Sequence, residues 1–229
     1  MTSKLFIVST PIGNYGDITF RAIETLKDAD FIICEEYKEA KRILSRFNIE
    51  KELISLNEHN ENEASTEIFR IIREGKSAAL ISDCGTPLFS DPGTQLVQLC
   101  IDAGIEVIPI PGASSIMAAL AGSGFSLKRF YYAGWLSPKT EIRKKELLRL
   151  KGIKELIVVM ETPYRLKTLI SDVEKSFGSS VNIVIGFDLT LPTEKFLRGN
   201  AGELNKLIHE KNLKGEFVFI IDNSANSVK

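Results

Sequence analysis

Disulfide and metal-site chemistry have little to work with in this chain. Its 229 residues hold three cysteines, Cys34, Cys84 and Cys100, with no CxxC pair and no metal-ligand spacing to either histidine, His59 or His209. That argues against a disulfide framework and a zinc site, and it predicts a reducing compartment. Long hydrophobic runs are lacking too. No apolar stretch approaches the roughly 20 residues a membrane span needs. The apolar run in the opening MTSKLFIVSTPIG is too short for a signal peptide. The expected location is the cytoplasm, with no membrane contact. Several catalytic signatures are also missing: GxxxxGK[ST], GxGxxG after the first strand, GxSxG and HExxH. A P-loop nucleotidase, a standard dinucleotide site, a serine-hydrolase elbow and a zinc protease are therefore poor readings.

Glycine and proline, in contrast, are concentrated. Residues 78–93 read AALISDCGTPLFSDPG: a short apolar run of the kind that makes a buried strand, then a loop dense in Gly and Pro. Residues 11–13 (PIG) and 111–113 (PGA) follow apolar runs in the same way. In α/β proteins ligands bind outside the carboxyl ends of strands. Backbone groups and small hydroxyls in such loops suit a neutral or zwitterionic ligand.

The remaining pattern is one of alternation. Apolar runs predict strands over 5–9, 31–34, 53–56, 78–81 and 107–110. Between and after them, helical spacing predicts helices over 17–29 (capped by Asp17), 40–47, from the polar run 57–63 to Gly75, 93–103 and 113–122. This indicates βαβ units and a mostly parallel sheet. After Gly124 the character changes. Strands are expected over 130–135, 155–160, 182–187, 193–198 and 216–222, with helices in the basic segment, after residues 161–165 and over 201–210. The expected fold class is α/β: a first domain over 1–123 with a mostly parallel sheet, and a second over 124–229 with a mixed one. The polar tail 223–229 is expected to fray.

Charge is unevenly placed. The net charge is −1, yet residues 128–154 hold nine Lys/Arg against Glu141 and Glu146, a local +7 that leaves −8 elsewhere. Such a segment is either an electrostatic footprint for a polyanion or a solvated helix face.

Five ordered pieces carry a resemblance: TPIGNYGDITFRA, SDCGTPLFSDPG, PIPGASS, METPYR and EKFLRG. Together they resemble the ribosomal small-subunit RNA 2′-O-methyltransferase I family, within the tetrapyrrole-methylase-like superfamily, over about residues 4–222. The resemblance implies two α/β domains, S-adenosylmethionine between them, a homodimer, and small-subunit ribosomal RNA as substrate. It assigns the cofactor to Ile12, Gly13, Gly85, Thr86, Pro87, Phe89, Ser115, Ile116, Met160 and Pro163. It matches Lys139, Arg143, Lys144, Lys145 and Arg149 to a basic RNA-binding segment. Asp83 fits SDxGTP, where it orients the loop or the acceptor or simply caps the loop. A ribose hydroxyl is a poor nucleophile, so a base is expected among Glu35, Glu36, Asp83 and Glu161, with Glu161 alternatively pairing with Arg165. Methylation of a tetrapyrrole or other small molecule, and non-catalytic binding of cofactor or RNA, stand as alternatives. Two departures from the family pattern are visible. Glu36-Tyr37-Lys38 stands where the family has Asp-Thr-Arg, and Phe187-Asp188-Leu189-Thr190 where it has Arg-Glu-Leu-Thr.

Overall fold

The computed structural model describes residues 3–224. It divides into two compact units, Met1–Ser114 and Ser115–Lys229. The division falls before the small-residue helix that the sequence reading placed in the first domain. The frayed tail expected over 223–229 lies, from residue 225, outside the described residues.

The first unit is a parallel sheet in the order β3-β2-β4-β1-β5, built from β1 (Lys4–Val8), β2 (Phe31–Cys34), β3 (Glu52–Ser55), β4 (Ser77–Ile81) and β5 (Glu106–Ile110). Helices cover both faces, so the central strands are near-continuous apolar runs: all four residues of β2 are buried, as are the last four of β4. One face packs Val8, Ile32, Ala79 and Ile81 against α1 (Phe20–Asp28) and α2 (Tyr37–Arg46). The other packs Leu5, Phe31, Ile33 and Leu80 with α3 (Glu61–Arg73) and α4 (Thr94–Asp102). Each such side chain contributes about 1.5–3 kcal/mol on burial. The cap of α1 corrects the sequence reading. Asp17 sits in a preceding 3₁₀ turn, and Thr19 caps the helix by accepting from the Ala22 amide. The turn delays helix entry by two residues, from Asp17 to Thr19.

The second unit is a mixed sheet in the order β6-β7-β10-β8-β9. Its strands are β6 (Phe130–Trp135), β7 (Leu156–Glu161), β8 (Asn182–Phe187), β9 (Lys195–Asn200) and β10 (Phe217–Asp222). β6 and β7 run parallel, and the other neighbours antiparallel. α6 (Thr140–Leu150), α7 (Leu166–Phe177) and α8 (Ala201–Lys211) cover the face of Ile157, Val159, Ile185 and Phe219. α5 (Ser115–Ser123) packs on β8 and β10. Its Gly122 faces the Phe196 ring so closely that a Cβ would overlap it.

Among the described residues, no helix is long and apolar enough to cross a membrane. Cys34 and Cys100 are buried core residues without a disulfide, and burial pushes both thiols up to about 11.

Candidate functional site

Strand order decides which loops meet. All five strands of the first sheet run the same way, so all five exits lie on one edge. β4, β1 and β5 are adjacent. The three Gly/Pro loops that leave them, far apart in sequence, therefore become neighbours.

Hydrogen bonds stitch these exits into a collar. Thr10 and Gly85 exchange amide-to-carbonyl bonds at 2.9 and 3.2 Å, and the Ser9 amide donates to the Ile110 carbonyl at 3.1 Å. The Ser9 hydroxyl donates to Thr86 Oγ1 at 3.2 Å, which donates to the Ala113 carbonyl at 3.2 Å. Thr10 Oγ1 donates to the Ser82 carbonyl at 3.0 Å. Two glycines permit the approach. Gly112 lies so close to the β1 exit that a Cβ would stand 2.8 Å from Ser9 Cβ, and Gly85 has φ +84° with room for Ile12 above it. Sequence reasoning missed Ser9, Thr10 and Ala113. The signal available was a pair of hydroxyl residues at the end of the first apolar run.

Past the collar, the β4 loop stores strain. Leu88 and Ser90 have φ of 73° and 75°, a region L-residues enter at a cost of about 1–3 kcal/mol each. They bracket Phe89, which is exposed although apolar. The amide of Gly93 donates to Glu61 at 2.8 Å and fixes the far end of the loop. Ile12, Gly13, Gly85, Thr86, Pro87 and Phe89 are thus gathered in the loops after β1 and β4.

Carboxylates stand at the neighbouring exits. Glu35 follows β2, and Asp83 and Asp91 belong to the β4 loop. Burial is the first cause that raises all three above ordinary carboxyl values. Charge repulsion adds to it at Glu35, from Asp83 and Asp91, and at Asp83, from Glu36, Glu39 and Asp91. The Glu36 amide, which donates to Asp83 Oδ1 at 3.4 Å, opposes the shift at Asp83. Among the described residues no group of three His, Cys, Asp or Glu is placed to hold a metal ion.

The second unit holds the other expected residues. Ser115 and Ile116 open α5, Met160 is half-buried near the end of β7, and Pro163 starts the turn after it. Glu161 is corrected here. Its Oε1 accepts from the Thr162 amide at 2.8 Å, and its buried Oε2 lies 2.8 Å from Arg165 Nη2. This is the alternative pairing with Arg165, in which the Glu161 carboxylate is already engaged on both oxygens. Arg143 is corrected as well. It is only 2% exposed, with Nε donating to Asp172 at 2.8 Å and Nη1 to the Ser137 and Pro138 carbonyls at 3.1 Å each. Its charge is consumed inside the unit. Lys139, Lys144, Lys145 and Arg149 remain exposed.

The composition of the collar narrows its ligand. Residues 9–16, 82–93 and 110–115 contain no Lys or Arg, while Asp83 and Asp91 belong to them and Glu35 stands close by. A polyphosphate finds no counter-charge there. A sulfonium, which is cationic, is matched by the carboxylates, and its nucleoside and amino-acid ends by backbone groups. The residues present fit S-adenosylmethionine.

A parallel sheet with strained strand-exit loops in one unit and a mixed sheet in the other define a two-unit α/β class of protein. The profile for Tetrapyrrole (Corrin/Porphyrin) Methylases matches residues 4–205, and the chain belongs to this family of methyltransferases. It is 38% identical over 222 residues to Ribosomal RNA small subunit methyltransferase I of Bacillus subtilis, covering 97% of this chain and 76% of that one. It is also 38% identical to the protein of that name in Leptospira biflexa, over 98% and 93% of the two chains. A solved cobalt precorrin-4 methyltransferase shares the fold, with a TM-score of 0.70 at 19% identity over 96% of this chain and 94% of that one.

Proposed function

We propose that this chain transfers the methyl group of S-adenosylmethionine to a ribose 2′-hydroxyl of small-subunit ribosomal RNA, as a cytoplasmic homodimer. The observation that carries this reading is the near-full-length similarity to proteins named Ribosomal RNA small subunit methyltransferase I. The cation-free collar and the exposed basic residues support it. The homodimer rests on the family resemblance, and the cytoplasmic location on where such a substrate is found.

When bound, the donor supplies an electrophilic methyl: the O–CH₃ bond forms as S–CH₃ breaks, leaving S-adenosylhomocysteine and a released proton. The chain supplies the rest. Ile12, Gly13, Gly85, Thr86, Pro87 and Phe89 hold the donor, with Ser115, Ile116, Met160 and Pro163 added by the family resemblance. Fixed geometry is the main catalytic contribution, because alignment replaces a bimolecular encounter. Asp83 or Glu35 accepts the hydroxyl proton, since a raised carboxyl is the better base near neutral pH. Lys139, Lys144, Lys145 and Arg149 draw in phosphates, which positions the RNA without reading its sequence.

The test is methyl incorporation into small ribosomal subunits from a strain lacking the gene. Incorporation that Thr86→Trp abolishes supports the proposal; incorporation into a tetrapyrrole and not into these subunits refutes it. Sedimentation velocity checks the dimer.

A further inference from the structure

Two aromatic side chains of the second unit stand in solvent where burial is the usual outcome. Trp135, the only tryptophan, is 46% exposed, and Tyr164 is 83% exposed. Neither exposure is an accident of a loose segment. Along β6, Ala133 packs on the core face, and simple alternation would send Trp135 to the same face. A bulge between Tyr132 and Gly134, with Gly134 at φ +68°, inserts one residue and reverses the alternation. Leu136 takes the core position, and Trp135 turns to the opposite face, in register with Met160.

The turn that carries Tyr164 is locked to the same place. Arg165 Nη2 donates to the Leu136 and Ser137 carbonyls at 3.1 and 3.0 Å, while Glu161 holds its guanidinium from below. Arg143, paired with buried Asp172, grips the Ser137 and Pro138 carbonyls from the other side. Glu146 accepts from the Ser137 amide at 2.9 Å. One buried arginine and one half-buried arginine thus brace one short loop. That loop starts at Trp135, ends at the exposed Lys139 and is tied to Tyr164. An exposed aromatic costs hydration free energy, so a brace of this kind around two of them calls for a partner with a flat apolar face.

We infer that Trp135 and Tyr164 form a stacking platform for an unpaired nucleobase of the RNA substrate, with Lys139 on the adjoining phosphate. The inference rests on the reading of the chain as an RNA methyltransferase and extends it. Charge complementarity selects RNA over a second protein copy: Trp135 lies in the basic segment whose Lys139, Lys144, Lys145 and Arg149 are exposed, and these cations would repel their own image. Met160 and Pro163, assigned to the cofactor, are on the neighbouring strand and turn, so a base held there brings its nucleotide to the donor.

Because Trp135 is the only tryptophan, its emission reports the platform directly. The protein, saturated with S-adenosylhomocysteine, is titrated with a short single-stranded oligoadenylate and with an abasic oligomer of equal phosphate count. Stacking predicts that oligoadenylate quenches Trp135 and binds about ten-fold tighter than the abasic chain. Tyr164→Ala and Trp135→Ala should each remove most of that advantage, Trp135→Phe should restore it, and none should change affinity for S-adenosylhomocysteine. Equal affinity for the two oligomers, in a protein that still methylates small subunits, overturns the platform and leaves the RNA reading intact. Failure to bind either oligomer or to methylate subunits overturns both. Quenching by free adenosine at the same concentration would assign the face to a free nucleoside, and emission that shifts on dilution would assign it to a second copy; either result overturns the inference.

Discussion

Arg143 offers the sharpest separation of charge that holds the fold from charge that holds RNA. Its side chain is 3% accessible and that of Asp172 is 8%, with 2.8 Å between Nε and Oδ2. Arg143→Met keeps most of the stem volume and removes the guanidinium, leaving a buried carboxylate unpaired and the Pro138 carbonyl without this donor, while the Ser137 carbonyl keeps Arg165. Breaking one side of a buried pair costs about 3–5 kcal/mol, so urea unfolding of the second unit should shift by that amount. The double variant Arg143→Met/Asp172→Leu removes the uncompensated charge and should recover most of the loss. Surface cations behave differently. Neutralising Lys139, Lys144, Lys145 and Arg149 together should leave unfolding nearly unchanged. It should flatten the dependence of log affinity on log salt by up to about 3, at about 0.7 for each contact to single-stranded RNA. The folded double variant should keep the wild-type salt slope. A double variant that is fully stable and yet loses slope as the surface lysines do would refute the assignment of Arg143 to the interior.

Other consequences concern the collar. Gly112→Ala drives a methyl to 2.8 Å from Ser9 Cβ, so it should cost about 1–3 kcal/mol in unfolding and weaken S-adenosylhomocysteine binding in calorimetry; unchanged binding would place the cofactor elsewhere. Thr86→Val keeps the shape but orphans the Ala113 carbonyl, with about 1 kcal/mol lost, whereas Thr86→Ser should retain the bond and the affinity. Asp83 has its carboxyl raised in the fold, so its favourable contribution is complete below the unfolded carboxyl range and is lost as pH rises through the raised value. Asp83→Asn should therefore raise the melting temperature near neutrality and leave it unchanged at about pH 3; a lower value near neutrality would contradict the burial that sets the shift.

Local signals were readable where one segment decides the outcome. β2, β6 and β8 fall on the residues that their apolar runs predict, because a strand buried on both faces or rich in aromatics has few competing patterns. The Gly/Pro loops were each visible, but their adjacency was not. It depends on β4 lying between β2 and β1, a pairing made over more than seventy residues. Arg143 shows a different failure. α6 carries two apolar stripes, and the one with Ile142 and Leu148 turns out to be exposed, while Arg143 shares the buried stripe with Leu147 and Leu150. Spacing alone does not say which stripe meets α7. The Trp135 bulge was hidden for a similar reason, since one inserted residue reverses every later side chain without changing the composition of the strand.

The departures from the family pattern fall outside the collar, and their structural roles explain how they are accommodated. Tyr37, where the family carries Thr, opens α2 and accepts from the Ser55 amide at 3.1 Å, so it ties the edge strand β3 to the β2 exit. Asp188 and Thr190 lie in the turn after β8 with φ of 47° and 68°, and the Thr190 amide donates to Glu194 at 2.7 Å. Tyr37 and Thr190 are thus absorbed by local bonds within their own units. None touches Ser9, Thr10, Gly85, Thr86 or Ala113, whose mutual bonds leave little freedom to change one residue without the others. On the proposed function, donor binding is therefore the constrained part of this chain, because three strand exits must agree on it. Substrate binding, which the same proposal gives to single side chains on exposed loops and one helix face, is free to diverge one residue at a time.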